Sequence, residues 1–140
     1  MRITLKGRYA LRAVLALAEM GKDGEMVSIN SLSEAEEISS IFLEQIFFKL
    51  KKAKIVKSVR GPGGGFALDR SLDSITVQEI LAAAGEELSM KFCDKNVRDC
   101  KRMSECVSHK VFASVSDKID EYLRSITLKK VLESKEFKPD

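Results

Sequence analysis

The chain is poor in what many protein classes need. It has no run of apolar residues longer than the six from Ala13 to Ala18, far short of the roughly 20 that a membrane-spanning helix requires. Arg12 interrupts the one stretch near the N-terminus that resembles a secretion signal, so the sequence reads as a cytoplasmic protein with no membrane partner. There are three cysteines, an odd number that argues against a disulfide framework. The single histidine, the lack of a nucleophile–base pair and the lack of any substrate-shaped motif argue against an enzyme or a redox carrier. No Gly-Lys-Ser/Thr follows the glycine-rich stretch, so it is no phosphate-binding P-loop. No internal repeat and no low-complexity segment occurs.

What is present is one domain's worth of chain. With 140 residues, 44% hydrophobic and 32% charged, the composition is globular. The net charge of +3 is unevenly placed: residues 1–70 carry 12 Lys/Arg against 8 Asp/Glu, residues 71–140 carry 12 against 13. Lys49, Lys51, Lys52, Lys54, Lys57 and Arg60 follow one another without an acid. Such a run suits a polyanionic partner, and it equally suits a solvated helix face.

Helical spacing of Leu5, Leu11, Val14, Leu15 and Ala18 predicts a helix over 4–20, with Thr4 as its cap and Gly21 as its stop. Residues 31–37 have capping-box spacing at Ser31/Glu34 and Ser33/Glu36. After Ile38-Ser39-Ser40, a second helix is expected over 41–53, with Leu43, Ile46, Phe47 and Leu50 inward and a lysine-rich last turn. Two short helices around a tight turn form a helix-turn-helix. Ile55–Val59 and Phe66–Leu68 flank Gly61-Pro62-Gly63-Gly64-Gly65 and read as a hairpin. A basic hairpin placed directly after a helix-turn-helix is a wing. The expected fold is therefore mainly α with a small β-hairpin wing, a winged helix-turn-helix followed by a long C-terminal helix.

A winged domain on duplex DNA needs three parts. The N-terminal residues of its recognition helix face base edges; here these are Ser39, Ser40, Ile41, Glu44 and Gln45. Glu44 accepts from a donor and repels phosphate, which makes it a device for rejecting the wrong sequence. Cations meet phosphates, with Arg2, Lys6, Arg8, Arg12, Lys49, Lys51, Lys52 and Lys57 as candidates. The wing reaches a groove through Arg60, with Gly61, Gly63 and Gly64 permitting close backbone approach.

Thr76 and Glu79 open a helix reaching about 84. A long helix is expected from Ser104 to about Arg124, striped by Val107, Val111, Val115, Ile119, Tyr122 and Ile126. The stripe either folds back on the domain or crosses a second copy. The second is favoured, because a winged domain of about 80 residues leaves little core for so long a helix to cover. The expected division is a DNA-binding domain over 1–85, a loop over 86–106, a dimerisation helix over 107–126 and a tail over 127–140.

Cys93, Cys100, Cys106 and His109 lie within 17 residues, spaced Cys-x6-Cys-x5-Cys-x2-His. Three thiols and an imidazole make a four-ligand set for zinc or an iron–sulfur cluster. The paired Cys-x2–4-Cys spacing common at zinc is missing. Unrelated buried thiols and a surface histidine remain a third reading.

Three stretches, Met1–Ala13, Ile38–Ile46 and above all Ser58-Val59-Arg60-Gly61-Pro62-Gly63-Gly64-Gly65-Phe66, resemble the Rrf2 family of bacterial winged helix-turn-helix regulators. The likeness covers residues 1 to about 126. It implies a homodimeric transcription regulator, a long dimerisation helix and a palindromic double-stranded DNA operator. One branch of the family implies a [2Fe–2S] cluster with three Cys and one His ligands, which by position are Cys93, Cys100, Cys106 and His109; cluster-assembly proteins would then be further partners. The first gap in that branch is usually five residues and here is six. A nitric-oxide-sensing branch uses an acidic ligand near the N-terminus, where this chain has Arg8. Other members carry no cluster and answer to metabolites or partner proteins.

Overall fold

A computed structural model describes residues 1–90, 93 and 100–140. Helix α1 (Leu5–Met20) leads into α2 (Ile29–Glu36) and α3 (Ser40–Lys52), then strands β1 (Val56–Val59) and β2 (Gly65–Leu68). Helix α4 (Val77–Ala83), the long α5 (Val107–Ser125), the short α6 (Leu128–Glu133) and a 3₁₀ turn (Lys135–Phe137) follow. The expected mainly helical fold with a hairpin wing is what the chain forms.

Helix α3 shows why. Leu43, Ile46, Phe47 and Leu50 recur at helical spacing and are all buried. They pack with Ala10, Val14 and Leu17 of α1, Leu32 of α2, Ile55, Ile75 and Ile80 into one core. Each fully buried side chain of this size contributes about 1.5–3 kcal/mol. Phe47 meets Phe66 of the hairpin edge-on, with ring centroids 4.8 Å apart. That contact seats the wing against the recognition helix.

The hairpin pairs Val56 with Leu68, Lys57 with Ala67, Ser58 with Phe66 and Val59 with Gly65. Val27 adds a third rung unexpected from the sequence. Its N–H donates to the Phe66 carbonyl and the Phe66 N–H donates back, both at 2.8 Å. Gly65 permits this approach: at φ +144°, a Cβ there would lie 2.4 Å from the Val27 carbonyl oxygen.

Several caps differ from the expected ones. Helix α2 starts two residues early because Ser28 is the residue whose hydroxyl accepts the Ser31 N–H, at 3.1 Å. Glu37, in the left-handed conformation at φ 54°, makes the turn into α3. Thr4 occupies the N-cap of α1, yet its side chain does not cap. Glu86 does so from across the domain, accepting the Thr4 N–H at 3.2 Å and the Gly7 N–H at 2.8 Å, and taking the Thr4 hydroxyl as well. A carboxylate at a helix N-terminus satisfies orphan amides and complements the dipole. Gly7 leaves room for it, since a Cβ there would fall 2.6 Å from the carboxylate. Burial opposes ionisation of Glu86, but the Thr4 and Gly7 hydrogen bonds and the Lys6 ammonium outweigh it and hold the carboxyl below the usual range. The Thr76/Glu79 capping box of α4 forms as expected.

The long helix begins at Val107, later than Ser104, with Cys106 at its N-cap. Its expected stripe divides. Ile126, just past the helix, is buried with Val77 and Leu81, and its carbonyl accepts the Val77 N–H at 2.9 Å. Val107, Val111, Val115 and Tyr122 are exposed and Ile119 is half-buried; Phe112, outside the expected stripe, is exposed as well. The segment after 126 returns to the first domain: Thr127 pairs with Thr76, and Leu128 is fully buried in the main core. Among the described residues, no helix is long and apolar enough to cross a membrane.

Candidate nucleic-acid interface and cysteine cluster

With Leu43, Ile46, Phe47 and Leu50 turned inward, α3 presents Ile41, Glu44, Gln45 and Phe48 outward. A shallow cavity of about 440 Å³ borders Ser39, Ile41 and Gln45 on one side of this face. Another of about 430 Å³ runs between α3 and the wing, bordered by Glu44, Phe48, Lys51, Ser58, Val59 and Arg60. Ser39 is exposed at the N-cap and Ser40 is half-buried.

The cations fall into separate groups. Lys51 and Arg60 border the α3–wing groove, and Lys52 and Lys57 are exposed on the same two elements. Lys6 and Lys49 approach each other from α1 and the last turn of α3, and the Lys6 ammonium holds Lys49 below its ordinary value. Arg8 is exposed on α1, and Arg2 is exposed beside a backbone bridge to Glu87. Arg12 is otherwise engaged. Its guanidinium pairs with the Glu36 carboxylate at 3.0 Å, donates to the Glu36 carbonyl at 2.6 Å and lies over the Tyr9 ring. That cation ties α1 to the C-terminal end of α2, where the helix dipole welcomes it.

At the wing tip, Gly61 and Gly63 have φ values of +96° and +74°, which other residues adopt only at a cost. Gly64 is needed for space, because a Cβ would sit 2.2 Å from the Val59 carbonyl oxygen.

Sequence reasoning overlooked Phe48, which is 63% exposed. The signal was available: it lies seven residues after Ile41, on the same helical face as Glu44 and Gln45. Glu86 and Gly7 were overlooked for a different reason, since nothing local links residues 79 positions apart.

Cys93, Cys100 and Cys106 are free thiols, each half-buried. Cys106 accepts the His109 backbone N–H at 3.4 Å, so these two share the first turn of α5. Among the described residues no group of three or more His, Cys, Asp or Glu side chains lies close enough to hold a metal ion. The donor types suit a metal or cluster; the arrangement does not gather them. Residues 91–92 and 94–99, which complete the predicted loop, lie outside the described residues.

An exposed helix face, a glycine-tipped wing and cations around the groove between them define a winged helix-turn-helix DNA-binding regulator. Residues 3–134 match the Rrf2 family, described as an iron-dependent transcriptional regulator, and the chain belongs to that family. The match continues past residue 126, in keeping with Leu128 in the core. The chain is 41% identical over 138 residues to a putative HTH-type transcriptional regulator of Haemophilus influenzae, covering 99% of this chain and 91% of that one. It is 38% identical over 136 residues to the HTH-type transcriptional regulator IscR of Pectobacterium carotovorum, covering 97% and 82%. Among solved structures, T. potens IscR superposes with a TM-score of 0.75 at 31% identity, covering 100% of this chain and 93% of that one. CymR, the global cysteine regulator of B. subtilis, superposes with a TM-score of 0.76 at 27% identity, covering 94% and 95%. These relatives are transcriptional regulators, and this chain is a DNA-binding regulator, not an enzyme.

Proposed function

We propose that the protein acts as a homodimer on a palindromic duplex operator, with operator affinity set by a [2Fe–2S] cluster on Cys93, Cys100, Cys106 and His109. Residues 1–85 read the duplex, 86–106 carry most of the donors and 107–126 dimerise, with 127–134 closing the first core. Ser39, Ser40, Ile41, Glu44 and Gln45 face base edges; Lys6, Arg8, Lys49, Lys51, Lys52 and Lys57 meet phosphates; Arg60 and the wing glycines enter a groove. Arg2 and Arg12 join the phosphate contacts, Arg12 from a guanidinium that Glu36 orients.

The observation that carries the cluster reading is the donor set itself. Three thiols and the chain's one histidine fall within 17 residues, and the last two occupy the first turn of the helix whose apolar face is uncovered. When bound, such a cluster supplies a redox-active inorganic centre with thiolate and imidazole ligands. The chain's part is to bring Cys93 and Cys100 toward Cys106 and His109 and to transmit that arrangement through Leu88, which packs beside Val77 and Leu81, and Glu86, which caps α1. Only differential affinity for two arrangements of this segment can shift DNA binding. An imidazole must be deprotonated to ligate, so occupancy falls in acid.

A second reading is a cluster-free regulator whose thiols sense oxidation or hold zinc and whose control comes from a metabolite or partner protein; among the described residues the donors stand apart, which favours its free-thiol form. Anaerobic purification with iron, sulfide and zinc analysis separates the two. A coloured protein with equal iron and acid-labile sulfide supports the cluster. A colourless protein, with or without stoichiometric zinc, supports the second reading.

A further inference from the structure

Two large apolar side chains of α3 stand in solvent, Ile41 in its first turn and the aromatic Phe48. Phe48 lies in the helix's third turn, 63% exposed, on the ridge between two shallow cavities. One runs to the wing; the other, of about 520 Å³, borders Ile41, Glu44, Gln45 and Lys49. The core does not use it, since the aromatic contacts of α3 with the rest of the domain are made by Phe42 and Phe47. Its ring carries the Lys52 ammonium 5.2 Å from the centroid, and Lys49 and Lys51 follow it within three residues. An exposed phenyl ring with an ammonium on its face and Lys49, Lys51 and Glu44 bordering the adjoining cavities is poorly suited to an apolar protein partner. It suits a duplex whose phosphates take the cations and whose groove floor takes the ring.

Resting on the placement of α3 in the major groove, we propose that Phe48 is a specificity residue that reads the 5-methyl group of a thymine in each half-site. The major-groove floor offers hydrogen-bond donors and acceptors at every base, and one apolar group, the thymine methyl. A phenyl ring has no donor or acceptor for the others, so seating it over cytosine, guanine or adenine desolvates polar edges without return. Glu44 on the same face accepts from a base amino group, which adds discrimination of a different kind at a neighbouring step. Phe48 selects by burying a methyl; Glu44 selects by rejecting acceptors.

The test begins with the full-length protein and a randomised duplex pool of about three helical turns. Wild type should enrich sites with a fixed thymine at a symmetry-related position in each half, and Phe48→Ser should enrich sites where that position is degenerate. Replacing those thymines by deoxyuridine in the selected duplex removes only the methyls. Wild-type affinity should fall about fourfold for each methyl removed, the worth of one buried carbon, while Phe48→Ser should bind both duplexes equally. Phe48→Leu, which keeps an apolar tip, should retain part of the preference. Equal wild-type affinity for the two duplexes overturns the proposal. So does a Phe48→Ser variant that keeps the wild-type ratio, or one that loses affinity equally for both because only Lys52 has been displaced. Failure of the wild type to enrich any duplex would instead overturn the DNA placement of α3, and the proposal with it.

Discussion

The winged domain and the segment after it are built on opposite terms. In the first, the helices close a shared core: Phe47, Leu43 and Leu17 are buried together, Ser28 and Thr76 cap their helices, and Glu86 caps α1 from across the fold. In the second, α5 holds Val107, Val111, Phe112, Val115 and Tyr122 out to solvent, and the three thiols are half-buried without forming a metal-holding group among the described residues. One region completes itself with its own residues. The other presents unspent binding capacity, apolar on the helix and thiol-rich at its start. The proposed function gives DNA contact to the first and assembly and control to the second.

Changes in each region should therefore fail differently. The largest effect is expected from Phe47→Ala, which empties the shared core of α3 and the wing and should cost about 3–5 kcal/mol of unfolding free energy. Chemical denaturation followed by circular dichroism measures it, and a loss below about 1 kcal/mol would deny that the wing is seated through this ring. Val111→Asp with Val115→Asp should leave the denaturation midpoint of the monomer nearly unchanged and abolish dimers in sedimentation equilibrium. A folded dimer surviving both charges would move the interface off this face. Lys51→Ala with Lys52→Ala should lower the slope of log affinity against log salt by up to about 2 units, with little change in stability. An unaltered slope would take both lysines out of the DNA contact.

The smallest effect concerns the cap joining the two regions. Glu86 is held below its ordinary carboxyl value of 4.5 in the folded chain. Its contribution is therefore present above that value and lost as pH falls through the lower folded value. Glu86→Gln should cost about 1 kcal/mol or less at neutral pH and should flatten the acid limb of the stability profile. An acid limb identical to wild type would assign that loss to other carboxyls, such as Glu79, which is held low by its α4 capping box and Arg70 against the cost of burial.

The sequence made the first region legible because its signals are local. Leu43, Ile46, Phe47 and Leu50 repeat at helical spacing, Thr76 precedes Glu79 by a capping-box interval, and four glycines surround a proline at the wing. What escaped were pairings across long sequence distance. The Val27 rung on Phe66, the Glu86 cap and the return of Leu128 to the core each join residues whose proximity no local pattern encodes. Arg12 shows a related limit: its charge and position suit a phosphate, and only the fold reveals Glu36 beside it. For the cysteines, spacing spoke of donor chemistry but carried no geometry, since Cys93, Cys100 and Cys106 do not share one regular element.

The central claim is that the donors at the start of α5 govern how the winged domain holds DNA. One anaerobic titration tests it most directly. A duplex recovered by selection is bound by protein as isolated and by the same preparation after iron chelation, with iron and sulfide assayed in both. The account predicts that loss of iron and sulfide changes the dissociation constant at least fivefold, and that Cys106→Ala reproduces the chelated value. Equal affinities before and after cluster removal, or a preparation that never contains iron and sulfide, would contradict it.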